Sequence, residues 1–102
     1  MTSKELQAAL ERLPLREKEV RVEGRPGAWL GVVISPEYEE IPDHERQQAV
    51  WDLVREKFGL EGAIEVEFIF TFSPTDLDEM EAQRIEEEAA NAAITAQVAS
   101  GS

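Results

Sequence analysis

The sequence predicts an α+β fold: a two-layer αββαβ domain with an additional acidic C-terminal helix. Three observations carry that expectation. Residues 64–72 alternate with period two. The segments 17–23 and 28–34 flank a turn of two glycines and a proline. Residues 6–13 and 50–58 place apolar side chains at helical spacing. The domain is expected to span residues 1–78, with residues 79–102 forming an acidic Ala/Glu-rich helix and a disordered tail.

Thr2 and Glu5 have capping-box spacing, and Leu6, Ala9, Leu10 and Leu13 follow on one face of a first helix that ends before Pro14. Val20 and Val22 alternate with charged residues in a first strand, and the apolar run 28–34, rich in β-formers, is the second. Gly24-Arg25-Pro26-Gly27 joins the two as a tight antiparallel hairpin. Pro42 opens a second helix whose stripe is Val50, Leu53, Val54 and Phe58, with Gly59 as its stop and Leu60 as the apolar contact that often follows such a glycine.

The third strand then returns by a right-handed crossover, parallel to the second. Val66, Phe68, Phe70 and Phe72 share one of its faces, so both helices are expected to cover the phenylalanines. The opposite face, with Trp29, Val33 and Ile69, is left more open. Ser73 caps a last helix, Pro74 suits its first turn, and Asp76 faces its free N–H groups. That helix is expected to run to about residue 94, with Ala99 to Ser102 disordered.

Ten Lys and Arg stand against 22 Asp and Glu, a formal charge of −12, which opposes a polyphosphate and favours a protein partner with a basic surface. Seven of those carboxylates lie between Asp76 and Glu88 with only Arg84 to oppose them, so the last helix carries half the net charge. With no cysteine there is no disulfide, thiolate metal site or cysteine nucleophile. No stretch reaches the 18 or so apolar residues of a membrane span, and a cytoplasmic protein is expected.

No constellation for catalysis appears, and the chain is not expected to be an enzyme or to hold a cofactor. Glu65 and Glu67 lie two apart on a strand, which suits a solvated face, and no base or nucleophile motif accompanies them. Glu86, Glu87 and Glu88 lack the spaced ligands and the glycine of a calcium loop. His44 is the sole histidine and has no companion ligand. Gly24 to Gly27 matches the Gly-x-x-Gly clamp of KH domains, but it joins two strands in an acidic setting where that clamp joins two helices. Trp29, Tyr38 and Trp51 are candidate interface anchors, with core burial of at least one of them the competing reading.

Ser35-Pro36-Glu37-Tyr38-Glu39-Glu40-Ile41, Arg46-Gln47-Gln48-Ala49-Val50-Trp51 and Phe72-Ser73-Pro74-Thr75-Asp76 together resemble the BolA-like family, whose element order, related to that of KH type II domains, is also the one expected here. The resemblance covers residues 4 to 78. It implies pairing with a monothiol glutaredoxin around a shared iron–sulfur cluster, yet the family's characteristic histidine, nine residues before the proline of the last helix, falls on Glu65. A carboxylate is a poor substitute for imidazole at such a centre. The second ligand, placed by the family in the hairpin loop, has no counterpart in Gly24 to Gly27, and Gln47 and Gln48 dilute the family's basic helix.

These readings converge on a protein–protein interaction adaptor or assembly factor, with Trp29, Tyr38, Arg46 and Trp51 as the partner-binding residues. Two alternatives stand beside it: an iron–sulfur trafficking accessory that pairs with a monothiol glutaredoxin, and KH-like nucleic-acid binding.

Overall fold

A computed structural model describes residues 1–101 of the chain, with side chains described through residue 90. Helix α1 (Ser3–Leu10) begins with the expected capping box, in which the Thr2 hydroxyl accepts from the Glu5 N–H and the Glu5 carboxylate accepts from the Thr2 N–H. It buries Leu6, Ala9 and Leu10. Leu13 lies past the helix end but is still buried.

Strands β1 (Glu19–Arg25) and β2 (Ala28–Ile34) form the antiparallel hairpin, with Arg25 opposite Ala28. Pro26 and Gly27, the latter at φ +84, occupy the two central positions as a type II turn requires. A 3₁₀ turn (Pro36–Glu40) follows, capped by the buried Ser35, whose hydroxyl donates to the Glu17 carbonyl at 2.6 Å. Helix α2 (Asp43–Ala63) is interrupted where expected: Gly59 sits at φ 74, ψ 178, and one further turn follows it. Leu60, expected to fold back against the helix, is 73% exposed instead, because the extended glycine turns the chain outward.

Strand β3 (Val66–Phe72) pairs parallel to β2, and the sheet order is β1-β2-β3. The expected assignment of its faces is reversed, and a bulge is the cause. Trp29 pairs with Val66 and the next residue, Leu30, pairs with Phe68, so Glu67 is an extra residue. Because side chains alternate, one extra residue moves everything after it to the other face. Val66, Ile69 and Thr71 therefore point into the core, while Phe68 and Phe70 are exposed.

The core lies between the helices and the face bearing Trp29, Gly31, Val33, Ile69 and Thr71, where Leu6, Leu10, Val50 and Val54 reach less than 2% exposure. Gly31 fits closely there, since a Cβ at that position would stand 3.1 Å from the Leu10 side chain, which would have to shift. The face expected to be open is thus the covered one. Helix α3 (Pro74–Gly101) runs past the expected end near residue 94; Ser102, also expected to be disordered, lies outside the described residues. From Asp78 to Ala90 every side chain of α3 is exposed.

Candidate functional site

Three phenylalanines stand in a row on the uncovered face. Phe68, Phe70 and Phe72 come from alternate positions of β3, with ring centroids 6.0 and 5.8 Å apart in stacked arrangement. The parallel register sets Leu30, Val32 and Ile34 beside them, one per ring, and the half-buried state of these three completes a two-column apolar surface. Phe68 is 55% exposed and Phe70 42%. Monomeric soluble domains rarely leave so many adjacent large apolar side chains on one face without a use for them.

The rim is charged. Across β1, the same register sets Glu23 beside Leu30, Arg21 beside Val32 and Glu19 beside Ile34, and Arg21 pairs with Glu19 at 2.6 Å. Beyond β3, a groove runs between Phe68, Phe70 and Phe72 on one side and Asp43, Gln47 and Trp51 on the other. An adjoining hollow, lined by Phe72, Asp76, Glu79 and Met80, carries the acidic side onto the start of α3.

The free edge of β3 is blunted by α2. The Gln47 amide donates to the Ile69 carbonyl at 2.8 Å and to the Thr71 hydroxyl at 3.2 Å, and accepts from the Trp51 indole at 3.1 Å. Arg46 donates to the Thr71 carbonyl at 3.3 Å. With these carbonyls occupied, the edge is a poor template for an added strand.

Arg46 also knots four segments together. It donates to the Ile41 carbonyl at 2.6 Å, to the Tyr38 carbonyl and to the Asp76 carboxylate at 2.8 Å, and its guanidinium lies over the Tyr38 ring, 5.1 Å from the centroid. Asp76 in turn accepts from the Ser73 N–H at 2.9 Å, and the Ser73 hydroxyl accepts from the Asp76 N–H. The Ser73 N–H, followed by Arg46, holds the Asp76 carboxyl below the usual aspartate range. Glu39 is lowered likewise, first by the Thr75 N–H. Burial pushes the Tyr38 phenol up, against the opposing charge of Arg46.

The four residues expected to bind a partner are not brought to one surface. Trp29 and Tyr38 are buried at 8% and 3% exposure, because β2 directs Trp29 to the covered face and the 3₁₀ turn tucks Tyr38 under Arg46. The Trp29 indole N–H is buried without a hydrogen-bond partner among the described residues. The Arg46 side chain is 10% exposed and committed to internal acceptors. Trp51 borders the groove beside the phenylalanine row, and Arg46 reaches only the adjoining hollow at Phe72.

The residues that the sequence reading missed are Phe68, Phe70 and Phe72, which it placed inside; the signal for the correct side was Gly31, a residue with no side chain in the strand facing them. Glu65, where the BolA-like family carries histidine, precedes β3 and lies 3.5 Å from the Met1 amino group. His44 is exposed on α2, and among the described residues no group of three or more His, Asp or Glu is arranged to hold a metal. Also among the described residues, no helix is long and apolar enough to cross a membrane.

No family model matches the sequence, and no curated protein matches it. Solved structures do. A BolA protein homologue from Coxiella burnetii superposes with a TM-score of 0.56 at 18% identity, over 76% of this chain and 97% of that one. BolA1 from Arabidopsis thaliana gives 0.52 at 16% identity, over 72% of this chain and 93% of that one. The chain has the fold of the BolA homologues.

Proposed function

We propose that this chain is a small, non-enzymatic BolA-like protein that acts as an interaction adaptor, docking another protein on the open face of its sheet. The row of Phe68, Phe70 and Phe72, each stacked on the next, with Phe68 and Phe70 exposed and Phe72 half-buried, is the observation that supports the reading. Aromatic side chains are enriched among the residues that carry interface energy, and covering half-exposed rings supplies hydrophobic driving force at about 25 cal/mol per Å² removed from water. Trp51 extends the surface at its helical border, while Trp29, Tyr38 and Arg46 support it from inside. Catalysis has no comparable support, since the carboxyls with lowered pKa at the junction of the domain with α3, Glu39 and Asp76, serve that helix start and the Arg46 ion pair.

The test compares proteins captured from lysate of the source organism by the wild-type chain and by the Phe70→Ser variant, with circular dichroism confirming that both are folded. A partner captured by the wild type and lost by the variant is the expected result. Identical capture by both overturns the assignment of the face.

A further inference from the structure

We infer that the partner segment is a cationic amphipathic helix, laid along the phenylalanine row with its apolar side on the rings and its Lys or Arg side chains over the acidic rim. The inference rests on the docking face proposed above and names what that face selects.

Three observations favour this occupant. The first is shape. From Phe68 to Phe72 the row spans about 13 Å at the strand rise of roughly 3.3 Å per residue. That length matches about nine residues of α-helix at 1.5 Å each, two and a half turns presenting anchors at i, i+3 or i+4, and i+7. The surface is two strands wide and has no deep recess, which suits the side of a cylinder.

The second is the blunted edge. A segment that added itself as a strand along β3 needs the edge carbonyls, and those of Ile69 and Thr71 already accept from Gln47 and Arg46. Docking is therefore onto the face, where no backbone groups have to be matched.

The third is charge. On the β1 side Glu19 is paired with Arg21, and Glu23 stands on the same face as Arg25, so that rim is balanced in charge. On the far side Asp76 is paired with Arg46, and Asp43 and Glu79 of the adjoining hollow have no salt bridge among the described residues. The carboxylate excess thus lies along the α2 and α3 side of the apolar strip, where Asp43, Asp76 and Glu79 face Arg46 alone, within a chain of net charge −12. Such a border attracts a cationic helix and repels a second copy of this chain, a nucleic acid or an anionic lipid surface.

The experiment titrates the full chain against three fluorescent 14-residue peptides by anisotropy. One is an amphipathic Leu/Lys helix, the second has the same composition scrambled to destroy the apolar stripe, and the third replaces each Lys by Glu. The Leu/Lys helix is expected to bind at least about tenfold more tightly than either control, a gap of the size a few buried anchors provide. Phe70→Ser is expected to abolish that preference, and the double variant Glu23→Lys with Glu79→Lys to transfer it to the Leu/Glu peptide.

Equal binding of the scrambled peptide would mean attraction by charge alone and would overturn the inference. So would equal binding of the Leu/Glu peptide, or a Phe70-dependent dimer in sedimentation, which would make a second copy the occupant. If the peptides fail but a lysate partner still depends on Phe70, the adaptor reading stands and the cationic helix falls. If neither depends on Phe70, both fall.

Discussion

Strand β2 sends Trp29, Gly31 and Val33 to one side of the sheet and Leu30, Val32 and Ile34 to the other, and the two sides meet opposite fates. Helices cover the first, and the second is left to solvent and a proposed partner. Hydrophobicity does not separate them, since the open side is also apolar, with Leu30, Val32, Ile34 and the three phenylalanines. What separates them is relief. The absent side chain of Gly31 and the small Thr71 leave room for Leu10 and for the α2 side chains that reach over β3, so the chain's own helices seat there and leave the phenylalanine face to solvent. A sheet can thus be apolar on both faces and still fix which one is core.

The largest expected effect breaks the covered side. Leu10→Ala removes a fully buried side chain that sits over Gly31, and a loss of about 3 kcal/mol in urea denaturation is expected. A loss below about 1 kcal/mol would show that α1 is not seated on this face.

Next comes the seam between the two sides. Arg46→Ala removes the donor to the Ile41 carbonyl and leaves the Tyr38 carbonyl only the Ile41 N–H and the Asp76 carboxylate only the Ser73 N–H, at an expected cost of about 2 kcal/mol in the same measurement. Arg46→Lys is expected to recover little of it, because an ammonium lacks the planar fork that reaches several acceptors at once. Full recovery by lysine would reduce the knot to a point charge.

How much of this was legible in the sequence divides along the same line. The elements were, because each is announced locally: Thr2 with Glu5 at the start of α1, Pro26 and Gly27 in the hairpin, Gly59 within α2, Ser73 and Asp76 at α3. The open face was not. The alternation of β3 reads correctly as a strand, but which side it buries depends on the bulge at Glu67, and that is fixed by pairing with β2. Trp29 and Tyr38 were misplaced for the same reason: an aromatic ring suits a core and an interface equally, and only the packing of Gly31 and Arg46 decides between them. The extra length of α3 follows from helix-favouring residues that continue past the point where the apolar stripe fades.

On the open side a comparable truncation should cost much less. Phe70→Ser removes a ring that is already 42% exposed and touches chiefly its stacked neighbours, so a loss of about 1 kcal/mol is expected. The contrast with Leu10→Ala is what matters. If the two variants lose equal stability, the phenylalanine face is covered in solution and the distinction between the sides collapses.

The smallest effect concerns the hinge where α3 leaves the domain. Glu39 accepts from the Thr75 N–H at 2.8 Å and Asp76 from the Ser73 N–H, and both carboxyls are held below their ordinary pKa. A folded-state pKa below the unfolded one contributes stability that is present above the unfolded value and is lost as pH falls through the folded value. The start of α3 is therefore expected to loosen only below about pH 4, the ordinary carboxylate range. Because Glu39 is exposed and Asp76 partly so, the change should be confined to the junction and weakened by salt. Amide chemical shifts of Ser73 and Thr75 followed by NMR would show it, with those of Val33 and Val50 unmoved. Asp76→Asn should remove the Ser73 inflection and leave that of Thr75. An inflection of Ser73 at the ordinary aspartate pKa in the wild type would mean that Asp76 does not cap α3, leaving the Ser73 hydroxyl on the Asp76 N–H and Glu39 on the Thr75 N–H as the side-chain caps of its first turn.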